Sequence, residues 1–285
     1  MSLSSHDIDW RTPPPDIPGE LPVAIVATPS YEERLHAVRT LHDHFGLGDT
    51  IEIDLPDGVA HASRRGEVQY FSASGAVRAR RADVPFGDGT EWTDLEQLSE
   101  ALLIDAGERL REARLLADGL DDVDVVLDQQ ARLDDVGKEL DSGPGRAVVR
   151  AGYSVDGFPL IGAGAKTRLA YEPVGGQPTL TRIFHVHRPV TDIRVVRTGG
   201  TERALTGLLR DPFLVEQHER GHRITVCGIE VGLLALPAVV PQRIAAPALA
   251  VTGMVDGDAP FSRYYQAVSA RALRRIGLAA AHLPH

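Results

Sequence analysis

The sequence predicts an α+β fold in which helices cover antiparallel sheets, and two observations lead to this prediction. Apolar and polar residues alternate in runs that follow one another with only short turns, as from 165–171 to 179–187 across Gly175-Gly176. Helical patterns precede groups of such runs and do not alternate singly with them. Consecutive hairpins under a helix are typical of α+β folds, whereas a doubly wound parallel sheet needs single strands between helices. We therefore expect two or three helix-plus-antiparallel-meander units.

The first element is an N-terminal segment that we expect to be a flexible arm. Residues 1–20 contain four prolines, which favour an extended backbone and cannot donate to a sheet. The first helix is predicted to begin after Ser30, because Ser30 and Glu33 have the spacing of a capping box. Apolar residues then recur every three or four positions until Gly46, and short strand patterns follow between 59 and 80.

The second unit begins with another helix. Thr93 and Glu96 are spaced as a capping pair, and Gly119 is predicted to close the helix with a left-handed backbone conformation. Strand patterns come next, and Asp156-Gly157 between two of them is a strong signal for a two-residue hairpin turn.

A third unit is predicted to repeat this order. Residues 201–209 have the pattern of a short helix, and strand patterns begin at Ile224. A final amphipathic helix is predicted after Asp258, with an apolar face formed by Phe261, Tyr265, Val268, Ala272 and Ile276. The expected boundaries lie near 90 and 197, which gives units over 21–90, 91–197 and 198–285.

The composition of the chain argues against several classes of protein and of functional site. The chain of 285 residues is 43% apolar and has a formal net charge of −10, so it predicts a folded acidic protein and argues against a nucleic-acid binder. A single cysteine, Cys227, excludes an intramolecular disulfide and a multi-cysteine zinc site. The sequence has neither a signal-like start nor an apolar stretch long enough to cross a bilayer, so we expect a cytoplasmic protein without membrane contact.

One stretch resembles a known group of domains. The segment Tyr153-Ser-Val-Asp-Gly-Phe-Pro-Leu-Ile-Gly-Ala-Gly-Ala-Lys166, within 146–188, resembles the hairpin of the PepSY, propeptide-like and YycH/YycI-like bacterial domains. The resemblance implies a cystatin-like roll, in which a helix packs on an antiparallel meander. It also implies a binding role, since such domains inhibit, chaperone or regulate another protein. It implies no catalytic residues.

The sharpest motif for chemistry is His218-Glu219-Arg220-Gly221-His222, which has the H-E-x-x-H spacing of zinc peptidases. On a helix both histidines could bind zinc, with Glu219 as the base that activates a metal-bound water and Glu230 as a third ligand. Two features weaken this interpretation. Gly221 disfavours a helix by about 1 kcal/mol relative to alanine, and the residues after His222 have the pattern of a strand.

A second group of candidates lies in the predicted meander. His185 and His187 fall on one face of a strand and could act in acid–base catalysis, since imidazole titrates near neutral pH. We expect that face to be open to solvent or to a groove, with Phe184 and Val186 in the core. Tyr153, Tyr171 and Lys166 are candidate ligand-binding residues. The Gly-rich stretch before Lys166 does not predict a phosphate loop, because a strand follows it.

These observations favour a binding protein for a peptide, a partner protein or a small apolar ligand, without a redox or nucleotide cofactor. The first alternative is a cofactor-independent enzyme, such as an isomerase or cyclase with an apolar pocket. The second alternative is a zinc-dependent hydrolase that uses the His218–His222 motif.

Overall fold

The computed structural model describes residues 3–84, 95–133 and 139–278. Within these ranges the helices are α1 (Tyr31–His44), α2 (Leu95–Glu112), α3 (Gly200–Leu209), α4 (Pro212–Glu219) and α5 (Ala270–Arg275). The strands are β1 (Ile8–Trp10), β2 (Glu20–Val26), β3 (Ile51–Leu55), β4 (Gly58–Ser63), β5 (Gly66–Phe71), β6 (Ala76–Arg81), β7 (Leu120–Leu133), β8 (Glu139–Val155), β9 (Phe158–Ile161), β10 (Lys166–Val174), β11 (Gln177–Val186), β12 (Val190–Arg197), β13 (Ile224–Leu234), β14 (Ile244–Ala245), β15 (Pro247–Val255) and β16 (Ala259–Gln266).

In the described part of the chain, thirteen strands form one large sheet in the order β16-β15-β13-β9-β8-β10-β11-β6-β5-β4-β3, with β1 beside β13 and β7 beside β8. Strands β12, β2 and β14 form a second, small sheet. Most neighbours are antiparallel, which confirms the α+β prediction. The large sheet is nevertheless mixed, because both β1 and β9 run parallel to β13. Strands from all three predicted units belong to this one sheet.

Local signals account well for the elements nearest the candidate site. The Ser30 side chain accepts a hydrogen bond from the backbone of Glu33, whose carboxylate bonds back to Ser30, so the predicted capping box of α1 is confirmed. The predicted hairpin turn at Asp156-Gly157 is also confirmed, with φ angles of 53° and 77°.

The predicted final helix is wrong over most of its length. Residues 259–266 form β16, which pairs antiparallel with β15, and α5 is only six residues long. Asp256 and Gly257 both have positive φ, so they form a second Asp-Gly hairpin turn just before the predicted helix. Residues four positions apart, such as Phe261 and Tyr265, lie on one face of a helix and also on one face of a strand. The hairpin turn before them favours the strand.

Two boundaries also differ from the prediction. The segment predicted to be a flexible arm is packed: β1 joins the large sheet, and Leu3, Ile8 and Ile17 are buried under α3 and α4. The burial of its apolar side chains stabilises the packed segment, although its prolines cannot donate hydrogen bonds to a sheet. Helix α2 ends at Glu112, before the predicted Gly119, and Arg114 takes the positive φ there. The predicted cap residue Thr93 lies outside the described residues.

Helices α1 and α2 cover one face of the large sheet and position the candidate site. Their buried residues, such as Val38, Leu41 and Leu102, pack on apolar side chains from β5, β6, β8, β10 and β11. No helix among the described residues is long and apolar enough to cross a bilayer.

Candidate functional site

On the helix-covered face of β8, β10 and β11, a row of apolar side chains is followed directly by a row that contains polar side chains. Val149, Leu169 and Ile183 lie opposite one another and are buried beneath the helices; we call them the apolar row. The next position on the same face is the polar row, Ala151, Thr167 and His185, which is equally buried. Since side chains alternate along a strand, both rows point towards the helices.

The polar row belongs to a chain of buried hydrogen-bonding groups. The Tyr153 hydroxyl lies 2.6 Å from Thr167 Oγ1, and Thr167 Oγ1 lies 2.8 Å from His185 Nδ1. The other ring nitrogen, His185 Nε2, is buried and has no hydrogen-bond partner in the described part of the chain. A buried polar atom without a partner is costly, so this nitrogen is a place where a ligand would improve the hydrogen bonding.

His187 lies beside this chain of groups. Its ring centroid is 4.4 Å from that of Tyr153 and 6.5 Å from that of His185. The prediction that both histidines face solvent or a groove is wrong as to solvent, because His185 is 0% and His187 only 6% exposed, but both border a cleft. Phe184 and Val186, on the other face of β11, are covered as well, by residues such as Ala238 from a later loop. Both faces of the strand are therefore covered, and the alternation of side chains does not predict this.

Burial sets the charge of both imidazoles. It lowers the pKa of His185 well below its ordinary value and that of His187 to about 4, and the positive charge of Arg34 acts in the same direction. Both rings are therefore neutral at pH 7. Burial also raises the pKa of the Tyr153 hydroxyl, which stays protonated.

Arg34 supplies the positive charge at this end of the sheet. It occupies the first turn of α1, one turn before Val38, on the same side of the helix as the apolar stripe. Its Nε donates to the carbonyl of Gly75 at 3.0 Å and one Nη donates to the carbonyl of His187 at 3.4 Å. No carboxylate pairs with it among the described residues, and burial lowers the pKa of its guanidinium. These two bonds use two of its five N–H donors, and no other hydrogen bond to the guanidinium comes from the described residues.

Three of these groups, Arg34, His185 and His187, border a cleft of about 510 Å³. Its polar lining also includes Arg114, Asp118, Ser154 and Asp156. Apolar side chains form much of the remainder, from the segment after α2, the end of β8 and β12: Leu115, Leu116, Ala117, Val155, Val190 and Ile193. The mixture of apolar walls with a few polar groups is typical of a small-molecule site.

Gly119 allows two walls of the cleft to approach each other. Its φ is +74°, and a Cβ there would lie 2.4 Å from the carbonyl oxygen of Ser154. A side chain at this position would therefore push the segment after α2 away from the end of β8. The glycine predicted to end a helix instead closes the back of the cleft.

A larger groove of about 1020 Å³ lies between α3, β16 and residues 234–237. Its Tyr265 hydroxyl donates to Asp211 at 3.0 Å, and Arg263 forms an ion pair with the same carboxylate at 3.7 Å. The other charged residues of the groove, Glu202, Arg203 and Arg210, are exposed. The smaller cleft instead contains the half-buried Arg34 and a buried ring nitrogen that has no partner among the described residues. For this reason we place the candidate site in the smaller cleft.

The remaining candidates lie elsewhere. Tyr171 is on the helix-covered face but at its apolar end, where its hydroxyl donates to Asp105 at 2.8 Å. Lys166 begins β10 and pairs with Val186, and it is not among the residues that border the cleft. Sequence reasoning brought Tyr153, His185 and His187 together correctly, but it missed Thr167 and Arg34. Arg34 could have been found as the charged residue in line with the apolar stripe of α1.

The zinc-peptidase motif lacks the helical geometry that it requires. Helix α4 ends at Glu219, and Gly221 has a φ of +84°, so His218 and His222 do not share one helix face. His222 bonds to Asp256, and Glu230 is exposed on β13. In the described part of the chain no group of three or more His, Cys, Asp or Glu side chains is arranged to hold a metal ion.

No protein-family model and no curated protein matches this chain. One solved structure that this chain matches is that of an uncharacterized protein from Eubacterium rectale ATCC 33656, at 10% sequence identity and a TM-score of 0.48. The match covers 88% of this chain and 84% of that one.

Proposed function

We propose that this protein binds a small apolar molecule carrying one carboxylate-like group, with the anionic group on Arg34 and the apolar part between the segment after α2 and β12. The observation that carries the proposal is Arg34 itself. A partly buried guanidinium without a carboxylate ion pair among the described residues has lost hydration, and the nearby charge of Glu33 does not outweigh that loss. A ligand carboxylate would match its planar fork of donors.

The neutral histidines support the same ligand. At pH 7 each imidazole can donate from one nitrogen, and none of the residues that the structure describes bonds to His185 Nε2. A second ligand oxygen near this nitrogen would satisfy it. The cleft volume of about 510 Å³ lies within the usual range for a molecule of metabolite size.

Thermal denaturation in the presence of benzoate and octanoate tests the proposal. We expect octanoate at about one hundred times its dissociation constant to stabilise the wild type by about 2.7 kcal/mol. Arg34→Gln should abolish this stabilisation, because glutamine keeps some hydrogen bonding but loses the charge. Arg39→Gln is the matched control, since Arg39 is exposed on the same helix.

Equal stabilisation of the wild type and Arg34→Gln would contradict the proposed position of the anionic group. If neither carboxylate changes the melting temperature of the wild type at concentrations up to solubility, the proposed ligand class is wrong.

A second candidate function is a cofactor-independent enzyme that moves a proton, and the hydrogen-bonded chain Tyr153–Thr167–His185 favours it. Depending on the tautomer, this chain can deliver a proton to His185 Nε2 or withdraw one from it, since each hydroxyl both donates and accepts. We expect Tyr153→Phe to leave ligand affinity within about twofold while turnover falls at least tenfold. Unchanged turnover of a bound substrate would exclude this role.

The predicted kinship is compatible with the order of elements. Helix α1 is followed by the meander β3–β6, and α2 by β7, β8, β10 and β11, so both parts have the helix-then-meander order of cystatin-like rolls. We infer that the roll is the repeated unit and that β6 and β11 join two rolls edge to edge. Kinship with the PepSY-like domains and a cytoplasmic location stay predictions.

A further inference from the structure

The opposite face of the large sheet carries a second group of charged residues. Arg146 and Arg150 on β8, Arg168 on β10 and Arg182 on β11 border a depression of about 210 Å³; we call these residues the arginine cluster. They alternate with the apolar row along their strands, so they point away from α1 and α2. Val148, Ala170 and Phe184 also line the depression, the first two of them buried, and so does the carboxylate of Asp128.

Two of the four guanidinium groups are neutralised and two are not. Arg146 forms an ion pair with Asp128 at 2.8 Å, and Arg150 forms one with Asp124. Arg168 and Arg182 make no side-chain hydrogen bond and no ion pair with any residue of the described chain. The depression therefore has two unmatched positive charges in a protein whose formal net charge is −10.

The strand register places like charges next to each other. Arg168 lies directly opposite Arg150, and Arg182 directly opposite Arg80. Like charges in directly opposed positions destabilise a sheet. Burial lowers the pKa of Arg182, and the positive charges of Arg146 and Arg80 act in the same direction, while the carboxylates of Glu172 and Asp128 oppose this shift only in part. An anion in the depression would offset this repulsion.

The two unmatched arginines are positioned to share one anion. Arg168 pairs with Phe184 and Arg182 with Ala170, so Arg168 and Arg182 are diagonal neighbours on adjacent strands. Diagonal neighbours are within reach of each other when their side chains are long. Each guanidinium can offer a planar pair of donors to an oxyanion.

We propose that the arginine cluster binds the phosphate group of a small phosphorylated molecule. A phosphate monoester carries close to two negative charges at pH 7, which matches the two unpaired guanidinium groups. A volume of about 210 Å³ accommodates a phosphate with a few further atoms, and the half-buried Phe184 ring offers an apolar surface to the group beside it. The negative net charge of the chain disfavours a nucleic acid at this face.

Titration calorimetry with inorganic phosphate and phenyl phosphate, at constant ionic strength, tests this site. We expect both probes to bind the wild type, with phenyl phosphate binding more tightly. Arg168→Gln and Arg182→Gln should each weaken phosphate binding about tenfold, which corresponds to about 1.4 kcal/mol. Both side chains are exposed, so the variants should melt within a few degrees of the wild type.

Arg39→Gln removes an equally exposed charge from α1 and should bind phosphate like the wild type. Arg34→Gln should also bind phosphate normally, so failure at this site can be told apart from failure at the cleft. Equal phosphate affinity in the wild type, Arg168→Gln and Arg182→Gln would overturn the proposal. Acetate binding as tightly as phosphate would overturn it too, as would binding of single-stranded DNA in the absence of phosphate binding.

Discussion

The apolar row and the polar row occupy adjacent positions on the same three strands, yet they serve different purposes. The apolar row lies under buried side chains of both helices, and close packing of complementary shapes is what stabilises it. The polar row lies where α1 presents Arg34 in place of an apolar residue, and its Thr167 and His185 hydrogen-bond to each other. The comparison indicates that one end of this face is built for stability, and it supports our proposal that the other end binds a ligand.

The largest expected effect is in the apolar row. Leu169→Ala removes a side chain that is 1% exposed and should lower the free energy of unfolding by about 3 kcal/mol, since the cavity cannot collapse under two helices. Urea denaturation measures this loss. A loss below about 1 kcal/mol would show that the helices do not pack tightly on this row.

A comparable effect is expected from pH at the polar end. The pKa of His187 is about 4 in the folded protein against an ordinary 6.5, so the unfolded chain binds this proton more tightly. Stability should therefore fall as the pH drops from about 6.5 towards 4, by on the order of 3 kcal/mol from this group. His187→Gln should make the decline shallower, whereas His6→Gln, which removes an exposed imidazole, should not. Equal slopes in both variants would contradict the burial of His187.

A smaller effect is expected from the hydroxyl at the centre of the polar row. Thr167→Val keeps the shape of the side chain but leaves the Tyr153 hydroxyl and His185 Nδ1 without their short contact, which should cost about 2 kcal/mol. Thr167→Ser keeps the hydroxyl and should recover much of this loss. If valine proves as stable as threonine, the hydrogen-bonded chain does not contribute to the fold.

The smallest effect is expected at Tyr171, whose hydroxyl is a polar group at the apolar end of the helix-covered face. Tyr171→Phe removes one hydrogen bond to Asp105, a carboxylate with access to solvent, and should cost about 1 kcal/mol. Octanoate binding should not change, because Tyr171 does not border the cleft. Weaker octanoate binding in Tyr171→Phe would show that the two ends are coupled.

The sequence predicts those parts of this structure that local chemistry determines. The capping box at Ser30 and the turn at Asp156-Gly157 are specified by adjacent residues, and both predictions are confirmed. The prediction of the final helix is wrong because the spacing of Phe261 and Tyr265 fits both a helix and a strand. Only the pairing with β15 determines that this segment is a strand. Tertiary pairing likewise determines the parallel neighbours of β13, for which no local pattern exists.

The candidate site was predictable only in part, for a similar reason. Alternation along one strand places His185 and His187 on a common face, but whether that face is buried depends on distant segments. Arg34 is far from the histidines in sequence and reaches them only because α1 packs across β5 and β6. Its unpaired charge is visible only in three dimensions.

The most direct test of the central claim is a long-range ¹⁵N–¹H spectrum of the histidine side chains at pH 7, recorded with and without octanoate. The account predicts that both His185 and His187 are neutral, that octanoate shifts their ring nitrogens, and that Arg34→Gln loses these shifts. A protonated His187 at pH 7, or ring nitrogens that respond to octanoate equally in the wild type and in Arg34→Gln, would contradict it.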